Sequence, residues 1–102
     1  MDIRLRAELL GRTEEEIRSE MAEALGRIGR RFQNLLEELK QLESVATQEA
    51  GPGLLQKYRD VLREARLYHW YLIVQREAMG LRDHRIVYLE YDVPASVKGI
   101  ER

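Results

Sequence analysis

The chain contains no cysteine. That excludes a disulfide framework, a thiolate metal site and a cysteine nucleophile, and it favours a reducing compartment. Long apolar runs are missing as well. The run through Tyr71 to Val74 falls far short of the roughly 20 residues a bilayer-spanning helix needs. The N-terminus, Met1-Asp2-Ile3-Arg4, lacks the apolar core of a signal peptide, so a cytoplasmic protein with no membrane partner is expected. No serine–histidine–acid order, glycine-rich phosphate loop or paired-carboxylate signature is present. No cofactor, catalytic residue or metal site is therefore expected, and the balance of the sequence is against an enzyme.

At 102 residues the chain makes one domain. A domain of this size buries about two thirds of its unfolded surface, so its stability is marginal unless something adds to the core. Self-association is a common remedy among helical hairpins. The net charge of −1 is unevenly placed: residues 13–50 carry nine acids and five bases, a net of −4, whereas residues 54–80 carry five bases and three acids, a net of +2. Facing helices of opposite sign attract by roughly 0.2–0.5 kcal/mol per well-placed pair. Pairing and solubility explain the imbalance better than a nucleic-acid patch, because a duplex-binding domain is normally basic overall.

Residues 3–9 alternate Ile3, Leu5, Ala7 and Leu9 with Arg4, Arg6 and Glu8. Period two predicts a half-buried strand; the rival reading is a helix starting at Asp2, since Leu5 and Leu9 are also four apart. After Gly11-Arg12, the run Thr13-Glu14-Glu15-Glu16 is a capping box with acids in the first turn. The apolar positions that follow are Met21, Leu25, Ile28, Phe32, Leu35, Leu39, Leu42 and Ala46, in steps of four and three. This is a heptad seam, extended by Ile17 and widened by Leu36 and Val45 as in a bundle. Gly26 and Gly29 weaken it by about 1 kcal/mol each relative to alanine, or mark a close approach of another element.

Gly51-Pro52-Gly53 breaks the helix and turns the chain. The second helix has two overlapping apolar stripes: Leu55, Tyr58, Leu62, Ala65, His69 and Leu72, and Leu54, Val61, Tyr68, Leu72 and Met79. One stripe faces the first helix; the other needs a further partner. Residues 86–93, Ile-Val-Tyr-Leu-Glu-Tyr-Asp-Val closed by Pro94, read as a strand with Val87, Leu89, Tyr91 and Val93 on one face. The expected fold class is thus mostly α (α+β): strand 3–9, helix 13–49, turn 50–53, helix 54–79, strand 86–93 and a frayed tail 95–102. A pivot near residue 52 places Met79 beside Leu25 and leaves about three turns of the first helix overhanging. Both strands pack on that overhang, and two copies form a four-helix bundle.

Candidate binding residues concentrate on the second helix. His69 sits on the apolar seam opposite Asn34 or Leu35, as a hydrogen-bonded core histidine or, alternatively, as a buried base or ligand. Trp70 and Tyr71 read as interface anchors or as a stacking surface for a base or small aromatic molecule. Gln75, Arg76 and Glu77 fall opposite Gly26 and Gly29 in the same register, as an ion-pair network involving Glu23 or as a polar pocket. His69, Glu77 and His84 do not have metal-ligand spacing. Arg27, Arg30 and Arg31 on the first helix and Arg59, Arg63 and Arg66 on the second form two basic turns that suit RNA or DNA. The leading expectation is a non-enzymatic interaction or scaffold module that pairs with itself as a homodimer, or with another protein. A nucleic-acid accessory protein is the alternative, and a small ligand-binding protein or enzyme near His69 and Arg76 is the third reading.

Overall fold

The computed structural model describes residues 2–46 and 51–98. Its elements are α1 (Ile3–Leu10), α2 (Glu14–Ala46), α3 (Pro52–Ala78), α4 (Arg85–Glu90) and α5 (Ala95–Lys98). The two long helices α2 and α3 form an antiparallel hairpin in a rod of 56 × 23 × 21 Å.

The start of α2 is built by the capping box. Thr13 Oγ1 accepts from the backbone N–H of Glu16 at 3.1 Å, while Glu16 Oε1 accepts from the backbone N–H and the hydroxyl of Thr13. Gly51 is the extended N-cap of α3 and Pro52 its first residue, the position where a missing N–H costs nothing. The glycine–proline break therefore opens the second helix two residues earlier than the sequence suggests, and the described helix ends, Ala46 and Pro52, centre the hairpin near residue 49. Facing residues shift accordingly. Gln75 donates to the backbone carbonyl of Met21, and Met79 packs with Ile17 and Met21 rather than beside Leu25. The expected three-turn overhang is thereby shortened. The expected continuation of α2 through residues 47–49, and the outer tail at 99–102, lie outside the described residues.

Neither expected strand is present among the described residues. Residues 3–10 are helical because both ends are capped. Asp2 accepts from the backbone N–H of Arg4 at 2.8 Å, and Gly11, at φ 65°, closes the C-terminus with its N–H on Ala7 and Glu8 carbonyls. Local capping overrides the period-two pattern, and the buried face is Ile3 and Ala7 against Ile17, Met21 and Met79. Leu5 and Leu9 point outward.

Residues 86–93 lose their expected strand partner once the N-terminal segment is helical, and a helix satisfies its own backbone groups. Asp83 starts the turn into α4, its Oδ1 accepting from the backbone N–H of Arg85 at 3.1 Å. The buried residue of α4 is Val87, Tyr88 and Tyr91 join it, and Leu89 is 85% exposed. The segment expected to fray from residue 95 instead forms α5. Its Val97 is fully buried, and Arg66 of α3 donates to the backbone carbonyl of Ser96 at 2.9 Å.

One core cluster runs along the hairpin through Phe32, Leu35, Leu39, Ala65 and Leu72 and takes in Val87, Val93 and Val97 from the C-terminal arm. The arm covers part of the first stripe of α3: His69 meets Tyr88 of α4 in the same chain, and Leu62 packs into the core cluster that holds Val87 and Val97.

Candidate functional site

His69 is the one fully buried polar side chain among the described residues. Helical spacing puts it one turn after Ala65 on the seam of α3. Its Nε2 lies 3.0 Å from Tyr88 Oη, and its ring stacks at a tilt against Phe32 and Tyr88, with centroids 5.7 Å from each. Tyr91 completes the group, edge-on to Phe32 at 5.4 Å. Lys98 Nζ lies 4.6 Å from the centroid of the Tyr88 ring on its outer side. His69 is thus the meeting point of α2, α3 and the C-terminal arm.

Asn34 does not join this group, for it is exposed on α2; the shifted hairpin register puts Phe32 against His69 instead. Gln75, Arg76 and Glu77 separate as well. Arg76 serves the loop before α4, donating to the carbonyl of Asp83 at 2.8 Å and to His84 Nδ1 at 3.4 Å. With Nδ1 accepting, a neutral His84 carries its proton on Nε2, which lies 3.7 Å from the Glu77 carboxylate. Arg76 therefore fixes the turn from α3 into α4 through the Asp83 carbonyl and His84, with Glu77 beyond hydrogen-bond reach of His84. Asp83 is held well below the usual carboxylate range by the Arg85 side chain and backbone N–H.

The space beside Gly29 is occupied by Tyr91, not by Arg76. A Cβ on Gly29 would collide with Tyr91 Oη, whereas a Cβ on Gly26 would meet only the tip of Arg30 at 3.3 Å. A cleft of about 240 Å³ remains nearby, lined by Ala22, Leu25, Gly26, Arg76, Glu90 and Tyr91 among others. Burial, and secondarily the Glu90 carboxylate, push the Tyr91 phenol up from its ordinary value.

Trp70 and Tyr71 lie on the side of α3 turned away from α2. With Leu67 and Val74 they form an outward stripe at helical spacing, and the four are 44% (Leu67), 52% (Trp70), 38% (Tyr71) and 41% (Val74) exposed. Tyr71 is wedged between Trp70 and Tyr68, ring centroids 5.7 and 5.3 Å away, which restrains its rotamer.

The six arginines of the nucleic-acid alternative are dispersed among other duties. Arg31 donates to Glu64 across the hairpin and lies 6.0 Å from the Tyr68 ring. Arg66 is bound to Ser96, and Arg63 is 3.6 Å from Asp60. Arg27 and Arg30 border a shallow surface depression that also contains Glu23, and Arg59 is exposed on α3. No group of three histidine, aspartate or glutamate side chains converges among the described residues, and no described helix is long and apolar enough to cross a membrane.

Sequence reasoning missed Tyr88, Tyr91 and the Leu67–Val74 edge of the outward stripe. The tyrosines were masked by a strand-like composition. The stripe is legible in the spacing of Leu67, Trp70 and Val74, three and four residues apart, but it overlaps the two other apolar stripes of α3. Compared with known proteins, the chain matches no family model, no curated protein and no solved structure.

Proposed function

We propose that the chain is a non-enzymatic interaction module that works as a homo-oligomer. The observation that carries this reading is the outward stripe Leu67, Trp70, Tyr71 and Val74 on α3. The helix already buries one side on α2 and another under the C-terminal arm. A further apolar side leaves α3 without a charged residue on any face from Leu67 to Val74, a pattern of helices enclosed in an assembly. The stripe is also built as a contact surface: tryptophan and tyrosine anchors are the side chains that dominate interface energies, and here they are braced by one another.

Pairing through this face gives a four-helix arrangement in the order α2–α3–α3–α2, with the two long hairpins back to back. It differs from a bundle closed over the seam of His69, which the C-terminal arm already covers. Light scattering across a concentration series tests the reading. The expected result is a mass approaching twice that of the 12.0 kDa chain as concentration rises. A single-chain mass at every concentration sinks it.

A further inference from the structure

We infer that the occupant of the α3 face is a second copy of the chain, packed antiparallel about a two-fold axis at Trp70, so that Arg63 of each copy meets Glu77 of the other. This rests on the homo-oligomer reading and adds orientation and register to it. Arg63, Leu67, Trp70, Val74 and Glu77 follow one another in steps of 4, 3, 4 and 3, the spacing of a helix–helix seam. The stripe is apolar in its middle and charged at its two ends, with opposite signs. Its charged ends are each seven residues from Trp70.

That symmetry selects the orientation. In an antiparallel pair centred on Trp70, Arg63 faces Glu77 twice, Leu67 faces the Ile73–Val74 edge, and the two indoles meet at the axis. A parallel pair in register sets Arg63 against Arg63 and Glu77 against Glu77, and like charges across a seam disfavour it. Both end groups are free to turn toward a partner. Arg63 is largely exposed beside Asp60, and Glu77 is half-exposed beside His84. Asp60 offsets part of the charge of Arg63, which leaves a modest cation at that end, and Glu77 supplies the anion at the other. Glu64, the other carboxylate near Arg63 in sequence, is held across the hairpin by Arg31.

Charge reversal tests the register. Arg63→Glu and Glu77→Arg are each expected to raise the dimer dissociation constant by about tenfold or more, because each breaks two symmetry-related pairs. The double variant is expected to recover most of the wild-type association. The two positions are 14 residues apart, about 21 Å along one helix, so such rescue cannot arise within a single chain. Circular dichroism confirms folding, and the cysteine-free sequence permits a second measurement. Arg63→Cys mixed with Glu77→Cys is expected to form a mixed disulfide-linked dimer, whereas Arg63→Cys alone is not. A wild-type dimer with no rescue and no mixed cross-link overturns the register while the homo-oligomer reading stands. Self-cross-linking of Arg63→Cys points to parallel pairing and overturns it too. A wild-type monomer, with the face left to a different protein, overturns both.

Discussion

Tyr88 Oη lies 3.0 Å from Nε2 of His69, a polar contact between the C-terminal arm and the buried seam of α3. A polar ring in an apolar seam is tolerated only while its nitrogens are satisfied. Tyr88→Phe keeps the ring packing and removes one hydrogen bond from a fully buried imidazole. The expected loss is about 1–3 kcal/mol of stability, read as a lower urea midpoint with unchanged slope. Tyr71→Phe, on the outward face, is the control and is expected to stay within about 0.5 kcal/mol at monomer concentrations. Equal effects of the two substitutions count against a structural role for the His69–Tyr88 contact.

The neighbouring glycines of α2 are expected to respond to alanine with opposite signs. Gly26→Ala meets only the mobile tip of Arg30, so the gain in helix propensity, about 1 kcal/mol at most, is expected to show as stabilisation. Gly29→Ala drives a methyl into Tyr91 Oη, and Tyr91 cannot swing away without leaving Phe32. It is expected to destabilise by about 1–3 kcal/mol. Removing the hydroxyl leaves Tyr91 Cζ at 3.6 Å from the added carbon, an ordinary contact. Gly29→Ala combined with Tyr91→Phe is therefore expected to recover most of the loss. Additive effects in that double variant would show that the collision is not the cause.

The hairpin was legible because its signals are local and redundant: a capping box at Thr13, a heptad seam from Met21 to Ala46, and a glycine–proline break. The terminal segments were not, for two different reasons. Ile3 to Leu9 carries both a period-two pattern and helix caps at Asp2 and Gly11, and the two signals point to different elements. Residues 86–93 have β-branched and aromatic residues, but their conformation depends on whether a strand partner exists elsewhere in the chain, which is tertiary information. The candidate site inherits these errors. His69 was visible as a seam residue, yet its partner Tyr88 sat in a segment assigned to the wrong element, and a register displaced by about one turn put Asn34 where Phe32 lies.

Acid is expected to loosen the start of α2. The backbone N–H and hydroxyl of Thr13, helped by Arg12, hold the Glu16 carboxyl below its ordinary value. The folded chain thus binds this proton less readily than the unfolded chain, and protonation favours unfolding. The contribution is present at neutral pH and is lost as pH falls below the unfolded glutamate value of about 4.3. Asp83, lowered by Arg85, acts in the same direction just beyond the C-terminus of α3. Glu16→Gln is expected to show a smaller drop in urea midpoint between neutral and acid pH than the wild type. Thr13→Ala is expected to cost about 1 kcal/mol at neutral pH and to flatten the same acid limb. An acid limb of unchanged size in both variants would assign it to other carboxylates.

Val97 separates the two buried sides of α3 from its outward one. It is the fully buried residue of α5, in the arm that Arg66 holds through the Ser96 carbonyl. Val97→Ala removes buried methyl groups and is expected to cost about 1–3 kcal/mol, whereas a frayed tail would lose less than about 0.5 kcal/mol. Its effect on association is the sharper measurement. The arm covers the His69 side of α3 within one chain, and Leu67, Trp70 and Val74 lie on a different side of the helix. Val97→Ala is therefore expected to lower the unfolding midpoint while leaving the dimer dissociation constant of the folded protein within about threefold of wild type. Trp70→Ala is expected to do the reverse, weakening association by tenfold or more at little cost to the monomer. If Val97→Ala weakens association as strongly as Trp70→Ala, the arm is displaced on pairing and the contact surface is the His69 seam.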